Sequence, residues 1–372
     1  MVKELHKAAQ FIFTVDFWRM LVHWTLSLII SHLHLFAQSL SVLKSNPCPR
    51  SRSQSLSRTA AMSPICIVTG ATSGLGAAAA HALSKEGFYV VLVGRSAHLL
   101  LKTMSEISKE NKNAQLKAFV VDLSSFSSIM KFKSSFRQWL SDMGMHSSVQ
   151  LLINNAGILG TSFRNTADGL DEMMVTNYIG AFCLTKVLLP FLMDSTVPSR
   201  VVNVTSFTHR HVNDIQVVKD LITGKSFSKL KKYPFARIYE YSKLCLLLFT
   251  YELHRQFNTT DKTCQVSVIA ADPGAVRTNI MREVPSYVSH FSFVALKLLG
   301  LLKRPEDGVG SILDAALAPP GTSGVYFYGG KGRTISSSSL SYNTRLAERL
   351  WTTSCDLFLE LKLASMETST SE

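Results

Sequence analysis

A short apolar run that passes directly into a glycine-rich turn constrains this chain more than any other feature. The run Ile65–Thr69 has the β-branched composition of a buried strand, and Gly70, Gly74 and Gly76 follow it where a helical pattern opens. Glycine permits positive φ and close approach of the backbone to a ligand, and the amino-terminal end of a helix attracts a pyrophosphate. The spacing is a variant of the dinucleotide-binding fingerprint. The predicted cofactor loop also includes Thr72, Ser73 and Leu75.

From Pro64 onward, short β-branched runs alternate with helical stretches, as they do in parallel βαβ units. The runs are continuously apolar, which suits strands that are covered on both faces. We therefore predict an α/β fold with a Rossmann-type, doubly wound parallel sheet of about seven strands. It forms a single domain, residues 63–335, followed by a carboxyl-terminal helix and tail at 336–372. The longest central helices are predicted at Leu170–Leu192 and Tyr239–Gln256. The predicted strands are Ile65–Thr69, Tyr89–Val93, Leu116–Val121, Gln150–Asn154, Arg200–Thr205, Gln265–Ala270 and Val325–Tyr328.

The ends of the second and third strands predict how the adenosine half of a dinucleotide is held. The second strand ends in Val93, Gly94 and Arg95, with no acidic residue there to bind the ribose hydroxyls. Gly94 leaves room and Arg95 can pair with a 2′-phosphate, so NADP(H) is favoured over NAD(H). Asp122, followed by Leu123, ends the third strand and is placed to meet the adenine.

A second motif, Tyr239-x-x-x-Lys243, lies downstream. On a helix, residues four apart share a face, so both side chains can reach one small volume. The Lys243 cation favours the phenolate, which predicts a pKa for Tyr239 below the free value of about 10. Such a tyrosine can exchange a proton with a carbonyl oxygen while a nicotinamide exchanges hydride with the carbon. Tyr241 lacks a lysine four residues later, so it is not expected to take this role.

The composition argues against several other classes of function. The 372 residues carry a net charge of +13, yet no basic run is interleaved with aromatic residues, so nucleic-acid binding is not expected. The six cysteines form no C-x-x-C pair and have no histidine spacing suited to zinc, so we predict neither a metal site nor a disulfide framework. A reducing compartment is favoured.

The first sixty residues differ in character from the rest. Residues 1–43 contain an apolar stretch, Met20–Phe36, which is near the minimum length for a membrane span and is interrupted by three histidines. Residues 44–62 form a basic linker rich in Ser, Pro and Arg. Because the positive charge follows the apolar stretch, the pattern favours a membrane anchor that keeps the folded domain in the cytosol, most simply at the endoplasmic reticulum. An interfacial amphipathic helix and an organelle-targeting extension removed on import remain alternatives.

Two segments are longer than a minimal βαβ plan requires. Thr208–Phe235 is a polar, basic insertion before Tyr239, and Arg282–Lys303 is an apolar segment after the sixth strand. Ligands of open α/β sheets bind beyond the carboxyl ends of the strands, which is where both segments begin. We expect them to form the walls of a substrate pocket. His209 and His211 follow Ser206 and could touch the substrate, but we expect them to be residues of a surface loop.

Together these motifs resemble the pattern of the classical short-chain dehydrogenase/reductase family over roughly residues 64–335. Within that family the chain is similar to the retinol-dehydrogenase-like branch through the run Arg200-Val-Val-Asn-Val-Thr-Ser206. More narrowly, it resembles the plant FOREVER YOUNG-type oxidoreductases through Ser206-Phe-Thr-His-Arg. Besides the glycine turn and the Tyr/Lys pair, the shared motifs are Asp122-Leu123, Asn154-Asn155-Ala156-Gly157, Asn177 and Asp272-Pro273-Gly274-Ala-Val276-Arg-Thr278.

The resemblance implies a catalytic tetrad and a set of cofactor contacts. It implies that Tyr239 is the general acid/base and that Lys243 lowers the pKa of Tyr239 and holds the nicotinamide ribose. It also implies that Ser206 hydrogen-bonds the substrate oxygen and that Asn177 helps to fix a proton-relay water beside Lys243. The remaining cofactor contacts that it implies are Asn155, Ala156, Gly157, Pro273, Gly274, Val276 and Thr278.

The sequence therefore predicts an NADP(H)-dependent oxidoreductase that interconverts a lipophilic alcohol and its aldehyde or ketone. The apolar segment after the sixth strand and the expected anchor favour a lipophilic substrate, and the resemblance allows a homodimer. The alternative is a cofactor-binding regulatory or interaction protein of the same fold that has no turnover.

Overall fold

The computed structural model describes residues 2–39, 47–51, 63–215, 219–228, 230–260 and 266–370. Seven parallel strands form one sheet in the order β3-β2-β1-β4-β5-β6-β7. The predicted doubly wound α/β fold is therefore confirmed. The strands are β1 Ile65–Thr69, β2 Tyr89–Gly94, β3 Gln115–Val120, β4 Leu151–Asn154, β5 Ser199–Val204, β6 Val266–Asp272 and β7 Tyr326–Tyr328.

Successive side chains of each strand enter opposite hydrophobic layers. In β1, Ile65 and Ile67 belong to one buried cluster, while Cys66 and Val68 belong to the cluster on the other face. This period of two is the geometry of a pleated strand, and all five residues of β1 are buried. Both faces must therefore be apolar, which is why the strand runs are continuous in the sequence.

The chain reverses its direction of strand addition at β1, which lies between β2 and β4. In a doubly wound sheet, such a switch point opens a crevice beyond the carboxyl ends of the strands. The helices that cover the sheet and extend from it are α1 Val2–Ile12, α2 Val15–Trp18, α3 Thr25–Ser39, α4 Gly74–Lys85, α5 Ala97–Glu110, α6 Phe126–Asp142, α7 Glu172–Met174, α8 Gly180–Met193, α9 Lys219–Ile222, α10 Lys225–Ser228, α11 Phe235–Thr260, α12 Ser286–Leu298, α13 Pro305–Gly308, α14 Gly310–Ala316 and α15 Thr344–Thr370.

The helix predicted at Leu170–Leu192 contains a local irregularity. The π-helical turn Val175–Ile179 separates α7 from α8. At the start of α8, Gly180 packs closely on the loop that follows β3. A Cβ on Gly180 would lie 2.3 Å from the Leu123 carbonyl oxygen. π-Turns inside helices frequently mark functional positions, and this one carries Asn177.

The carboxyl-terminal helix α15 is part of the hydrophobic core. Trp351 stacks on Phe249 of α11 with ring centroids 6.2 Å apart, and the buried hydroxyls of Ser354 and Tyr178 are 2.7 Å apart. Leu350 is fully buried. The helix therefore contributes to the stability of the sheet domain.

The insertion predicted as a pocket wall, Thr208–Phe235, packs mostly elsewhere. Its described part begins inside a 3₁₀ turn, Phe207–His211, and continues through α9 and α10, where Ile222 and Phe227 are buried. The hydroxyl of Tyr233 donates to the Asp171 carboxylate at 2.7 Å. These contacts fasten the insertion to the start of α7, so that most of it lies away from the crevice.

Two described helical stretches are long and apolar enough to cross a membrane, judged by length and composition alone. Glu172–Met193 is 83% buried inside the domain and is a core helix. Val15–Ala37, hereafter the N-terminal segment, is only 22% buried. Of the predicted linker 44–62, only residues 47–51 lie within the described part of the chain. The five cysteines that the structure describes are free thiols, and Cys264 lies outside it.

Candidate active site

A single large cavity of about 860 Å³ occupies the crevice at the β1/β4 switch point. It extends from the loop after β2 to the loop after β6. Most residues predicted for the site line it: Gly70, Thr72, Ser73, Gly74, Leu75, Arg95, Asp122, Leu123, Asn155, Ala156, Gly157, Ser206, Tyr239, Lys243, Pro273, Gly274, Val276 and Thr278. Gly76 and Asn177 are not in direct contact with the cavity. They lie one layer behind it, where Gly76 contacts Gly70 and Asn177 contacts Gly157.

The glycine turn has the geometry of an anion cradle. Gly70 and Gly74 have φ of +66° and +55°, conformations that other residues adopt at a cost. A Cβ on Gly76 would lie 2.2 Å from the carbonyl oxygen of Gly70, so only hydrogen fits there. Ser73 precedes α4 but its side chain makes no capping hydrogen bond. The first N–H groups of α4 are therefore available to a ligand at the positive end of the helix.

The loops after β1 and β4 are fastened to each other. The Thr69 hydroxyl accepts hydrogen bonds from the backbone N–H groups of Asn155 at 2.9 Å and Ala156 at 3.0 Å. The Asn155 side-chain amide donates to the Thr69 carbonyl at 2.9 Å. Asn154 bridges to β5 through a 2.8 Å bond to Asn203. These bonds fix both sides of the crevice at its centre.

At the adenosine end, Arg95 is half-exposed and forms an ion pair with Glu172 at 3.3 Å. Glu172 also pairs with Arg164, so the Arg95 guanidinium is only partly committed to it. Beside Arg95, Gly94 leaves space that a side chain would fill, since a Cβ there would lie 2.9 Å from Thr72. This end of the cavity therefore has a half-exposed guanidinium beside a position without a side chain.

Three of the side chains expected to be catalytic, those of Ser206, Tyr239 and Lys243, line the cavity, and the fourth, Asn177, lies directly behind it. Tyr239 and Lys243 lie one turn apart on α11, with the Lys243 Nζ 5.7 Å from the centre of the Tyr239 ring. Ser206 follows β5 and lines the cavity together with Tyr239. A Cβ on Gly157 would lie 3.3 Å from Asn177 Oδ1 and 3.5 Å from Lys243 Nζ. Asn177 and Lys243 therefore meet across the small volume that Gly157 leaves.

Backbone hydrogen bonds hold Asn177 in this position. Its Oδ1 accepts from the Ile158 N–H at 2.8 Å, and its Nδ2 donates to the Ile158 carbonyl at 3.0 Å. The Nδ2 also donates to the Ser242 hydroxyl at 3.0 Å. The π-turn thus ties α11 to the loop after β4.

Burial changes the proton affinity of the Tyr/Lys pair. It raises the pKa of Tyr239 above its usual value, as does the carboxylate of Asp272, while hydrogen bonding with Ser206 lowers it. Burial lowers the pKa of Lys243 to about 8, with Asp272 acting in the opposite direction. The predicted lowering of the Tyr239 pKa is therefore wrong for the protein itself, because desolvation of the phenolate outweighs the attraction of a lysine that is itself desolvated.

Three residues near the site differ from one another in their environment. The hydroxyl of Tyr241 accepts a 2.7 Å hydrogen bond from Arg237 and lies outside the cavity lining. His209, expected on the surface, is fully buried and lies between the Ser206 carbonyl at 2.6 Å and the Ser338 N–H at 3.1 Å. His211 is partly buried and contacts Ser27 at 2.8 Å. The surface assignment is wrong for His209, which the 3₁₀ turn after β5 folds inward.

The structure adds cavity residues that the motifs did not identify. Thr176 and Thr208 line the cavity, and their buried hydroxyls have no hydrogen-bond partner among the described residues. Of the two predicted walls, Arg282–Lys303 lines the cavity along much of α12, whereas Thr208 alone represents the insertion. A further part of the wall is the amino-terminal part of the chain, through Phe11, Phe17, Met20, Leu21, Trp24, Thr25 and Leu28. In the sequence, the only indication that this part of the chain contacts the folded domain is Arg19, a charged residue next to an apolar stretch.

The arrangement as a whole fits a dinucleotide and a second, apolar ligand. The glycine turn leaves no room for side chains where a pyrophosphate would lie. A proton donor, Tyr239, and a lysine, Lys243, line the same cavity. Metal binding has no comparable support, since the described residues contain no cluster of three or more potential metal ligands.

Comparison with known proteins gives a consistent picture. The family model for short chain dehydrogenase matches residues 64–217. Human polyprenol dehydrogenase is 34% identical over 300 residues, covering 79% of this chain and 84% of that protein. Human retinol dehydrogenase 12 is 34% identical over 298 residues, covering 79% and 85%. The chloroplastic short-chain dehydrogenase TIC 32 B of Brassica napus is 28% identical, covering 77% and 85%.

Solved structures share the fold. A protein of Mycobacterium paratuberculosis superimposes with a TM-score of 0.59 at 26% identity, covering 81% of this chain and 97% of that one. Actinorhodin polyketide ketoreductase, crystallised with NADPH, superimposes with a TM-score of 0.54 at 23% identity, covering 73% and 97%.

Proposed function

This chain belongs to the short-chain dehydrogenase/reductase family, in its retinol-dehydrogenase-like branch, and from that premise we propose that it interconverts a lipophilic alcohol and its aldehyde or ketone with NADP(H). Membership makes it an oxidoreductase that binds a nicotinamide cofactor. The choice of NADP(H), the substrate class and the roles of individual residues are the content of the proposal. One observation carries it: a glycine-rich phosphate cradle and a buried Ser206–Tyr239–Lys243 group line one cavity.

The chemistry follows from the positions of the side chains. When bound, a nicotinamide coenzyme supplies or accepts the hydride. In reduction, Ser206 and Tyr239 hold the carbonyl oxygen of the substrate, and the Tyr239 hydroxyl donates its proton to that oxygen. The raised pKa of Tyr239 keeps this hydroxyl protonated at neutral pH. Lys243 stabilises the phenolate that remains, and Asn177, which meets Lys243 beside Gly157, orients the path by which the proton is replaced.

The preference for NADP(H) rests on the end of β2. Arg95 faces the cavity, its ion pair with Glu172 is long at 3.3 Å, and no carboxylate follows β2 to repel a 2′-phosphate. A charge-assisted bond from a guanidinium to phosphate is among the stronger polar contacts available at a surface. NADH lacks the 2′-phosphate, so Arg95 does not strengthen its binding.

A lipophilic substrate is supported by the apolar side chains of the cavity lining. Leu21, Leu28, Phe291 and Leu296 belong to it, and such a lining binds ligands through burial of apolar surface. Two of the similar proteins carry lipophilic alcohols in their names, a polyprenol and retinol. The common feature is an alcohol at the end of a long apolar body.

We propose association with the endoplasmic reticulum membrane, with the domain in the cytosol. The outward face of the N-terminal segment exposes large apolar side chains, as does α12 through Phe291 and Leu298. The similar chloroplastic protein makes organellar import the competing placement. Mass spectrometry of the mature amino terminus separates them, since import with cleavage removes the N-terminal segment. Asn258 is exposed and begins the glycosylation sequon Asn258-Thr-Thr260, so a glycosidase-sensitive sugar on it would contradict the cytosolic orientation.

The experiment uses the full-length protein in lipid nanodiscs. NADPH oxidation is followed with a panel of long-chain and ring-containing aldehydes and ketones, for wild type and Tyr239→Phe. Tyr241→Phe is the matched control, because it removes a buried hydroxyl from the same helix outside the cavity. We expect turnover by wild type and by Tyr241→Phe, with a loss of about two or more orders of magnitude in Tyr239→Phe. NADPH binding without turnover by any of the three proteins would favour a regulatory protein instead.

A further inference from the structure

The residue after Tyr239 is a buried carboxylate whose ionic partner comes from the far end of the chain. Glu240 has no exposed surface. The Arg19 Nε lies 2.8 Å from each of its oxygens, and the indole N–H of Trp24 donates to Oε1 at 2.8 Å. Among the described residues, Arg19 is the only cation in an ion pair with Glu240. We call this three-residue group the Glu240 latch.

A carboxylate in this position requires a partner. Removing one member of a buried ion pair is strongly destabilising, because the remaining charge stays desolvated. The described part of the sheet domain supplies no substitute for Arg19. The domain is therefore shaped to receive the N-terminal segment.

Further contacts hold the segment at other points. The Asp16 carboxylate accepts a 3.0 Å hydrogen bond from the Ala236 N–H, in the first turn of α11, where the unpaired N–H groups of a helix need an acceptor. Ser27 contacts His211 at 2.8 Å. Leu28 and Leu35 are buried in a cluster with tyrosines of β7. With these contacts in place, the segment lies along the domain, and its outward side chains remain available to a lipid surface.

The inward face of the segment closes the cavity over the catalytic group. Met20, Leu21, Trp24 and Leu28 line it. The Trp24 ring lies 5.6 Å from the Tyr239 ring, centre to centre. A substrate whose oxygen reaches Tyr239 therefore has its neighbouring carbons beside Trp24.

We propose that the N-terminal segment is a fixed wall of the active site, fastened by the Glu240 latch, and that Trp24 is a specificity-determining residue that packs on the apolar body of the substrate. The part concerning substrate rests on the proposed function. The part concerning docking does not.

Docking is tested by hydrogen–deuterium exchange on the full-length protein in nanodiscs. Arg19→Gln is expected to speed exchange of the amides in 15–28 at least tenfold, with those of β1 and β6 unchanged. Lys7→Gln, which removes an exposed cation of the same region, is the control. Glu240→Gln should act like Arg19→Gln, and the double variant should add little, because both changes break one interaction. Unchanged exchange in both single variants would overturn the docking, since a helix protected only by lipid does not depend on Glu240.

Specificity is tested by kinetics with long-chain and short-chain carbonyl compounds that share the same reacting group. Trp24→Ala is expected to raise KM for the long compounds at least tenfold, to leave KM for the short ones within twofold, and to leave NADPH affinity unchanged. Trp18→Ala is the matched control, because Trp18 lies on the same segment with 54% of its surface exposed. Equal effects of the two variants would overturn the role of Trp24. A wild type without turnover would overturn the proposed function and that role together, while the exchange experiment would still decide the docking.

Discussion

The ammonium group of Lys243 donates a 3.0 Å hydrogen bond to the main-chain carbonyl of Val204, at the end of β5. This hydrogen bond joins α11 to the sheet. The Thr205 hydroxyl adds a second link, since it donates a 3.2 Å hydrogen bond to the Lys243 carbonyl. The lysine is therefore a structural link between helix and sheet as well as the neighbour of Tyr239.

This link makes stability depend on pH in a defined direction. Burial lowers the pKa of Lys243 from 10.5 to about 8 in the folded protein. Between these values the unfolded chain holds one more proton at this residue, so the free energy of unfolding rises with pH, by at most about 1.4 kcal/mol per pH unit. Denaturant unfolding in detergent at pH 7.5, 8.5 and 9.5 measures this for wild type and Lys243→Met. We expect the free energy of unfolding of wild type, relative to that of Lys243→Met, to rise by about 1–2 kcal/mol from pH 7.5 to pH 9.5. A constant difference would contradict the lowered pKa.

Arg95 should separate the two nicotinamide cofactors. Arg95→Ala is expected to weaken NADPH binding about 10- to 100-fold, the equivalent of one charge-assisted hydrogen bond, and to leave NADH binding within twofold. Equilibrium titration of cofactor fluorescence measures both constants. Lys85→Ala, which removes an exposed cation of α4 that does not line the cavity, is the control. An equal loss of affinity for both cofactors would show that Arg95 stabilises the loop and does not bind the 2′-phosphate.

Gly76 should tolerate no side chain. In Gly76→Ala the new Cβ would meet the Gly70 carbonyl oxygen at 2.2 Å, so the turn must open. We expect NADPH affinity to fall at least tenfold and the free energy of unfolding to fall by about 1–3 kcal/mol. The control is Gly310→Ala, where the Cβ would make an ordinary 3.5 Å contact. Unchanged cofactor affinity in Gly76→Ala would contradict the assigned cradle.

Arg200 is expected to matter for stability and not for chemistry. Its guanidinium donates to four carbonyls at the carboxyl end of α14, those of Ala315, Ala316, Ala318 and Pro319. Arg200→Met leaves these buried acceptors unpaired, and we expect a loss of about 3 kcal/mol or more in unfolding free energy. Calorimetry or denaturant unfolding measures it against Arg349→Met, an exposed control. Full stability of Arg200→Met would mean that water replaces the guanidinium.

The sequence by itself determined the sheet and most of the cavity lining. Ile65–Thr69 was recognisable as a strand because a strand buried on both faces must be apolar at every position. Gly70, Gly74 and Gly76 were recognisable as a ligand cradle because only glycine satisfies that backbone. Tyr239 and Lys243 were recognisable as a pair because helical spacing is local. Each of these inferences depends on residues within one element or one turn.

What only the tertiary structure decided involves residues far apart in the chain. Arg19 and Glu240 are 221 positions apart in the sequence, and no periodicity within either helix predicts their contact. The direction of the Tyr239 pKa depends on the depth of burial, which changes the balance between desolvation and charge. His209 lies in a polar stretch, yet the turn after β5 buries it. Local chemistry specified which groups the site contains, while long-range packing specified what surrounds them, because burial and distant contacts are properties of the whole fold.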